Sequence, residues 1–326
     1  MKDCCRRAKS DQPCGETQHR KAQALTTKLD RKGLIYGVSA CLIWGFFPLY
    51  WPLLRPAFAL EILAHRVIWS LLVCVLLLIG QHKFRILMLL VADRRRIWWL
   101  VGSSCALSAN WLTFIWAVNN NHFTESALGY YINPLVMVFL GVLVYKEQLS
   151  QLQWLAGGSG AIAVFILSFA YGRPPWIALL IATTWGLYGV IKKHFNGNAL
   201  ESLAAETLVL MIPALALLIY LGIIGKGQFG IDFKSSLLLS GAGIVTTLPL
   251  LMFNGAATRL PLSITGLLQY IQPSVQFLLG ILVLHEKMSR DRWIGFGFIW
   301  LSLLLLAIDM LRNSRRSLDD GIAKAH

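Results

Sequence analysis

Glu61 and His65 stand four residues apart in the stretch LEILAHRVIWS, residues 60–70. On a helix that spacing puts both on one face, where they can pair. Histidine changes charge near neutral pH, so the two together suit proton binding. Glu125 is a third carboxylate in apolar surroundings, and these three residues are the candidates for proton coupling. Plainer readings compete: Glu61 as an interfacial anchor, and Glu125 as an acidic residue favoured by a helix N-terminus. Arg66 points elsewhere, about 140° round the helix from Glu61.

A second kind of chemistry appears twice. LGYYINPLVMVFLGVLVYKE, residues 128–147, nearly recurs as LLQYIQPSVQFLLGILVLHE, residues 267–286, with 10 identities in 20 at an offset of 139. In each copy an amide, Asn133 or Gln272, directly precedes a proline, Pro134 or Pro273. A carboxamide both donates and accepts, and a proline removes one helix hydrogen bond and frees a carbonyl. Together they can meet a polar ligand inside an apolar medium. Tyr131 and Tyr270 lie about 200° round an unbroken helix from the amides and rank below them.

These groups need a scaffold, and the composition says of what kind. Of 326 residues, 56% are hydrophobic and 14% are charged, against about 25% charged in a soluble domain. The apolar residues come in blocks near the roughly 20 residues that cross a bilayer core. In lipid every backbone group must be satisfied within its own segment, so the blocks are helices. The expected fold is an all-α polytopic membrane protein with ten transmembrane helices, at about 33–53, 60–80, 97–118, 125–145, 152–171, 175–191, 200–223, 236–255, 263–285 and 292–311. With the N-terminus inside, the cytoplasmic loops and tails hold 22 Lys and Arg, and the outer loops hold 7. That bias sets both termini in the cytoplasm. The net charge of +14 then reflects topology and anionic lipid, with no nucleic acid implied.

The echo runs beyond the opening pair. CLIWGFFP at 41–48 corresponds to ATTWGLYG at 182–189, aligning Trp44 with Trp185, and LEILA at 60–64 corresponds to LESLA at 200–204. The chain divides into a disordered basic cytoplasmic tail, 1–32; a first five-helix repeat, 33–171; a second, 172–311; and a basic cytoplasmic tail, 312–326. Five is odd, so the second copy crosses in the opposite sense. Inverted repeats of this kind are associated with secondary transporters, and paired interrupted helices point to the binding site. Asn133 then lies roughly 12 Å deep from one side and Gln272 roughly 14 Å deep from the other, both near the midplane. Trp44 and Trp185, in the first and sixth spans, and Asn110, in the third, extend the candidate substrate-binding set. Pro249 marks a further helix break beside Thr246 and Thr247. The competing reading is that the prolines serve packing alone.

Several classes are excluded. There is no Walker loop, and GGSG at 157–160 sits in an apolar span with no strand before it, so no nucleotide site is expected. No convergent catalytic set occurs, so neither an enzyme nor a cofactor is expected. Cys4, Cys5, Cys14 and His19 fit no standard zinc spacing, and no metal is expected. The 1–32 tail lacks the apolar core of a cleaved signal peptide. Gly157, Gly158, Gly160 and Ala161, with Gly295 and Gly297, allow close helix approach and offer packing or homodimer surfaces.

At FIWAVNNNH, EILAHRVIWS, GYYINP and AGIVTTLPLLMFNGAATRL, the chain resembles the RarD proteins of the EamA branch of the drug/metabolite transporter superfamily. The resemblance covers roughly residues 33–311. It implies a ten-helix inverted-repeat permease in a bacterial inner membrane. Members carry a chloramphenicol-related label, which is weak guidance to a physiological substrate. The expected function is secondary transport of a small amphiphilic metabolite or drug-like molecule by alternating access, with protons as the candidate coupling ion. The alternative class is a non-transporting membrane protein, either a lipid-acting enzyme or a sensor.

Overall fold

The computed structural model describes residues 30–93, 97–146, 149–192, 199–260 and 262–323, and every regular element among them is helical. The main helices are α1 (Arg31–Gly45), α2 (Phe47–Tyr50), α3 (Ala59–Gly80), α4 (Phe84–Ala92), α5 (Ile97–Asn119), α6 (Phe123–Tyr145) and α7 (Gln151–Tyr171). They continue as α8 (Trp176–Lys192), α9 (Ala199–Ile223), α10 (Phe233–Ala257), α11 (Leu262–Leu268), α12 (Ile271–Leu278) and α13 (Arg290–Ala323). A 3₁₀ turn, Trp51–Leu54, follows α2, and a π-helical segment, Leu279–Val283, follows α12.

Local sequence explains many of the helix ends. The Asp30 carboxylate accepts from the Lys32 amide at 2.9 Å and caps α1. Ser150 and Gln153 form a reciprocal capping box at the start of α7, which satisfies two otherwise orphaned amides. Gly172, at φ 67°, ends α7 in the left-handed conformation that glycine adopts without penalty. Lys146 and His285, which the offset of 139 sets opposite each other, both take a positive φ, 54° and 51°.

Among the described residues, eight helices are long and apolar enough to cross a membrane, with two shorter apolar segments at Trp176–Ile191 and Ile271–Val283. Large apolar side chains such as Phe165, Phe169, Ile212 and Ile223 are exposed on them, as lipid contact demands. The chain is an all-helical polytopic membrane protein. The span expected at 263–285 is not one helix: it is α11, a turn at Gln269–Tyr270, α12 and the π segment. The tail expected from residue 312 is helical as far as Ala323. Residues 1–29, with Cys4, Cys5, Cys14 and His19, and Glu147 lie outside the described residues.

The helices pack in a pattern that survives exchange of the two halves. α1 packs on α10 and α12, as α8 packs on α5 and α6. α3 packs on α10, as α9 packs on α5, while α3 meets α9, α6 meets α12 and α7 meets α13. Small residues permit the closest of these approaches. A Cβ added at Gly45 would stand 2.7 Å from the Val275 Cβ, and one at Gly186 would stand 2.9 Å from the Val136 Cγ1. Both glycines follow the repeated tryptophans, and both valines are repeat counterparts. α7 and α13 are cross-bonded: the Ser159 hydroxyl donates to the Phe298 carbonyl at 2.9 Å, and the Ser302 hydroxyl donates to the Ala156 carbonyl at 2.6 Å. Gly160 and Gly295 sit against leucines, but Gly157, Gly158 and Gly297 face open space, so the small-residue stripe packs through only part of its length.

Candidate functional site

The interior carries amides that packing alone leaves partly unused. Asn110, on α5, is buried; its Nδ2 donates to the Ile181 carbonyl at 2.8 Å and to the Thr184 hydroxyl at 3.2 Å. Among the described residues its Oδ1 has no partner, and neither does the Oδ1 of Asn133 on α6. Gln272 is half-buried at the second residue of α12. One turn on, Gln276 is fully buried; its Nε2 donates to the Trp44 carbonyl at 3.1 Å, and its Oε1 has no partner among the described residues. Such groups are uncommon in native interiors and call for a reason. Gln276 escaped the sequence reading because the repeat comparison selects matches, and its counterpart is Met137. The available signal was its place four residues after Gln272, on the same helical face.

The two tryptophans occupy related places. The Trp44 ring lies 5.4 Å from Phe253, and the Trp185 ring lies 5.4 Å from Tyr188. The two tyrosines line a common groove. Tyr131 and Ser274 share a hydrogen bond of 2.8 Å, and both line a groove of about 480 Å³ with Tyr270, Phe277, Trp293 and Trp300.

Of the expected helix breaks, only the second copy's appears. α6 runs unbroken through Pro134, and α10 runs unbroken through Pro249. α9 likewise runs through Pro213, a proline the sequence reading passed over. A proline forfeits one bond, and neighbouring helices hold a transmembrane helix together across the gap. Pro273 is the third residue of α12, a first-turn position where no intrahelical N–H is needed. The chain turns just before it, at Gln269–Tyr270.

The titratable candidates are all engaged with loops or helix starts at the ends of their helices. Glu61 and His65 do not pair. Glu61 is buried and accepts from the Gln228 amide, while the His65 ring stacks on Phe229 at 4.9 Å. A shared helix face brings both to the same loop, and that loop takes each of them separately. Glu125 is buried and clamped: its Oε1 accepts from Arg173 and from the Ile177 amide, both at 3.2 Å, and its Oε2 accepts from Arg173 at 2.9 Å. Glu286, unmarked as a site in the sequence, accepts from the Thr124 amide at 2.8 Å and from its hydroxyl at 2.6 Å. It thereby places a carboxylate on the N-terminus of α6, where the helix dipole favours one.

Arg66 is the cation the sequence reading set aside. It is buried, with its guanidinium carbon 3.9 Å from the Trp111 ring centre, 5.1 Å from Trp51 and 5.7 Å from Phe47. These rings come from α5, the 3₁₀ turn and α2. A charge in a bilayer centre costs about 2.5–3.5 kcal/mol on insertion scales, and aromatic faces return part of that.

The fold and its buried polar interior define an all-helical, multi-pass membrane protein. The EamA-like transporter family model matches twice, over residues 31–169 and 174–308. Protein RarD of Streptomyces exfoliatus is 47% identical over 288 residues, covering 88% of this chain and 91% of that protein. Protein RarD of Escherichia coli strain K12 is 38% identical, over 90% of this chain and 99% of its own. The uncharacterized transporter YojE of Bacillus subtilis is 41% identical, over 88% and 97%. A crystal structure at 16% identity aligns with a TM-score of 0.56, over 84% of this chain and 96% of that one, which supports the fold alone. The chain belongs to the EamA-like transporter family, and to the RarD group within it.

Proposed function

We propose that the chain is a secondary transporter that moves a small amphiphilic metabolite or drug-like compound across the inner membrane by alternating access. In this reading α11, α12 and the π segment form one discontinuous span and α8 a short one, giving ten spans in two inverted five-helix repeats. The exchange-invariant packing of the helices is the observation that carries the proposal. Two interleaved halves of like packing supply two equivalent end states, as alternating access requires. The unpartnered oxygens of Asn110, Asn133 and Gln276 supply polar contacts at membrane depth, with Gln272, Trp44, Trp185, Tyr131 and Tyr270 as further contacts.

Both termini are placed in the cytoplasm by the distribution of Lys and Arg, and reporter fusions after residue 326 that are active only in the periplasm would refute that. Glu61, His65 and Glu125 are the groups through which a proton gradient would act. A lipid-acting enzyme or a sensor is the other class, and relatives named as transporters favour the first reading. The deciding experiment is reconstitution of the purified protein into liposomes, presented with a bacterial metabolite pool with and without a pH gradient. Time-dependent, protein-dependent uptake or release of specific compounds is expected. Its absence for the whole pool, with the protein folded and inserted in both orientations, overturns the proposal.

A further inference from the structure

We infer that Arg66 is an anion-receiving site: its guanidinium, held in a cage of Phe47, Trp51 and Trp111, takes the carboxylate of an aromatic or otherwise flat substrate. The inference draws its functional meaning from the transporter reading above, and its test does not depend on transport.

Three observations carry it. First, the guanidinium is unspent. Arg66 is 4% exposed, yet among the described residues none accepts a hydrogen bond from it or forms an ion pair with it, and its Nε is enclosed without a partner. Guanidinium has five N–H donors in a planar fork. Aromatic rings attract its charge but accept few of those protons, so the cage fixes the group and leaves its donors without acceptors. Carboxylates near the span look away: Glu61 on the same helix accepts from the Gln228 amide, and Glu125 is taken by Arg173.

Second, the repeat does not require a cation here. The offset near 140 that pairs LEILA with LESLA sets Arg66 opposite Glu206, and the offset that pairs Trp44 with Trp185 sets Phe47 opposite Tyr188. In the second copy Tyr188 donates to the Glu206 carboxylate at 3.2 Å, where in the first Arg66 lies over Phe47. One architecture thus accepts opposite charges at this place, so the positive sign belongs to function more than to folding.

Third, the place is right. Arg66 lies seven residues into α3, roughly 10 Å below its outer end, between elements that lie early in the chain and α5. A planar fork over ring faces matches a carboxylate through two parallel bonds and a flat substrate body through stacking. A phosphate would meet the same fork, so the probes must tell the two apart.

The test is binding to the purified full-length protein in lipid nanodiscs, read by tryptophan fluorescence, since Trp51 and Trp111 report on the site. The probes are benzoate, phenylacetate and indole-3-acetate, each beside its neutral amide, with phenyl phosphate as the competing anion. At least one acid is expected to bind saturably, and at least tenfold more tightly than its amide. R66Q should abolish that preference, weakening the acid at least tenfold more than its amide. R66K keeps the charge but lacks the fork, and should weaken acid binding about tenfold; it also serves if R66Q does not fold. The inference is overturned if no acid is distinguished from its amide, if R66K matches the wild type, or if phenyl phosphate binds more tightly than every carboxylate. Failure of liposome transport with the acid preference intact would count against the transporter reading and leave the site standing.

Discussion

Replacing Glu125 with glutamine measures how firmly its carboxylate clamps α6 to Arg173 and the start of α8. In the native protein both carboxylate oxygens are occupied, with Arg173 gripping them at 3.2 and 2.9 Å and the Ile177 amide adding a bond at 3.2 Å. Glutamine keeps one oxygen for the Ile177 amide but turns its NH₂ group towards a guanidinium. Hydrogen bonds to charged groups contribute about 1.5–3 kcal/mol. The Arg173 side chain is 36% exposed, so solvent recovers part of the loss and the lower end applies, about 1.5–2 kcal/mol. The reverse deletion is expected to cost more. R173M strands a carboxylate that is 1% exposed, and removing one partner of a buried pair costs about 3–5 kcal/mol. The double variant E125Q/R173M should be less destabilised than the sum of the two, because each single change already removes the shared bonds. Reversible unfolding in mixed micelles, recorded for all four proteins, gives the cycle. Additivity within about 0.5 kcal/mol, or E125Q costing more than R173M, would refute the clamp.

Three other expectations are equally concrete. E61A should free the segment around Gln228 and Phe229, so that a cysteine placed at 228 is labelled about tenfold faster or more, the equivalent of one charge-assisted bond; unchanged labelling would show that the loop is held by other contacts. G243A should destabilise by about 1–3 kcal/mol through overpacking, because its Cβ would meet the Trp69 backbone at 2.4 Å, whereas G157A, facing open space, should be neutral or slightly stabilising through helix propensity; similar melting temperatures for the two would contradict the packing. N133A and Q272A should each weaken binding of a transported compound about two- to twelvefold, the worth of about 0.5–1.5 kcal/mol for one hydrogen bond, with near-normal folded yield; full affinity in both would remove them from the site.

Much of the scaffold was legible because lipid leaves the backbone so few options. Apolar blocks had to become helices, and the recurring Trp-Gly and Pro positions marked two copies. What sequence spacing cannot supply is the identity of the group across the gap. Glu61 and His65 were correctly placed on one face, but the group that meets Glu61 is an amide 167 residues downstream. Arg66 looked like a stray cation because its cage draws on residues 47, 51 and 111, which no local window joins. Pro134 read as a break because proline's local penalty is known, while the neighbours that keep α6 continuous are remote in sequence. Gln276 matched nothing in the first copy and so carried no mark.

The packing of α1 has a consequence for how the protein is made. Its principal neighbours, α10 and α12, both belong to the far half of the chain, and the contact between Gly45 and Val275 closes only after most of the polypeptide has been synthesised. At roughly 5–20 residues per second, that is a wait of roughly ten to forty seconds. During it α1 sits in lipid or against the insertion machinery with its eventual interface bare. α8, its counterpart, emerges with α5 and α6 already in place. Biogenesis is therefore asymmetric although the packing is not: α8 follows its partners in synthesis, whereas α1 precedes its own.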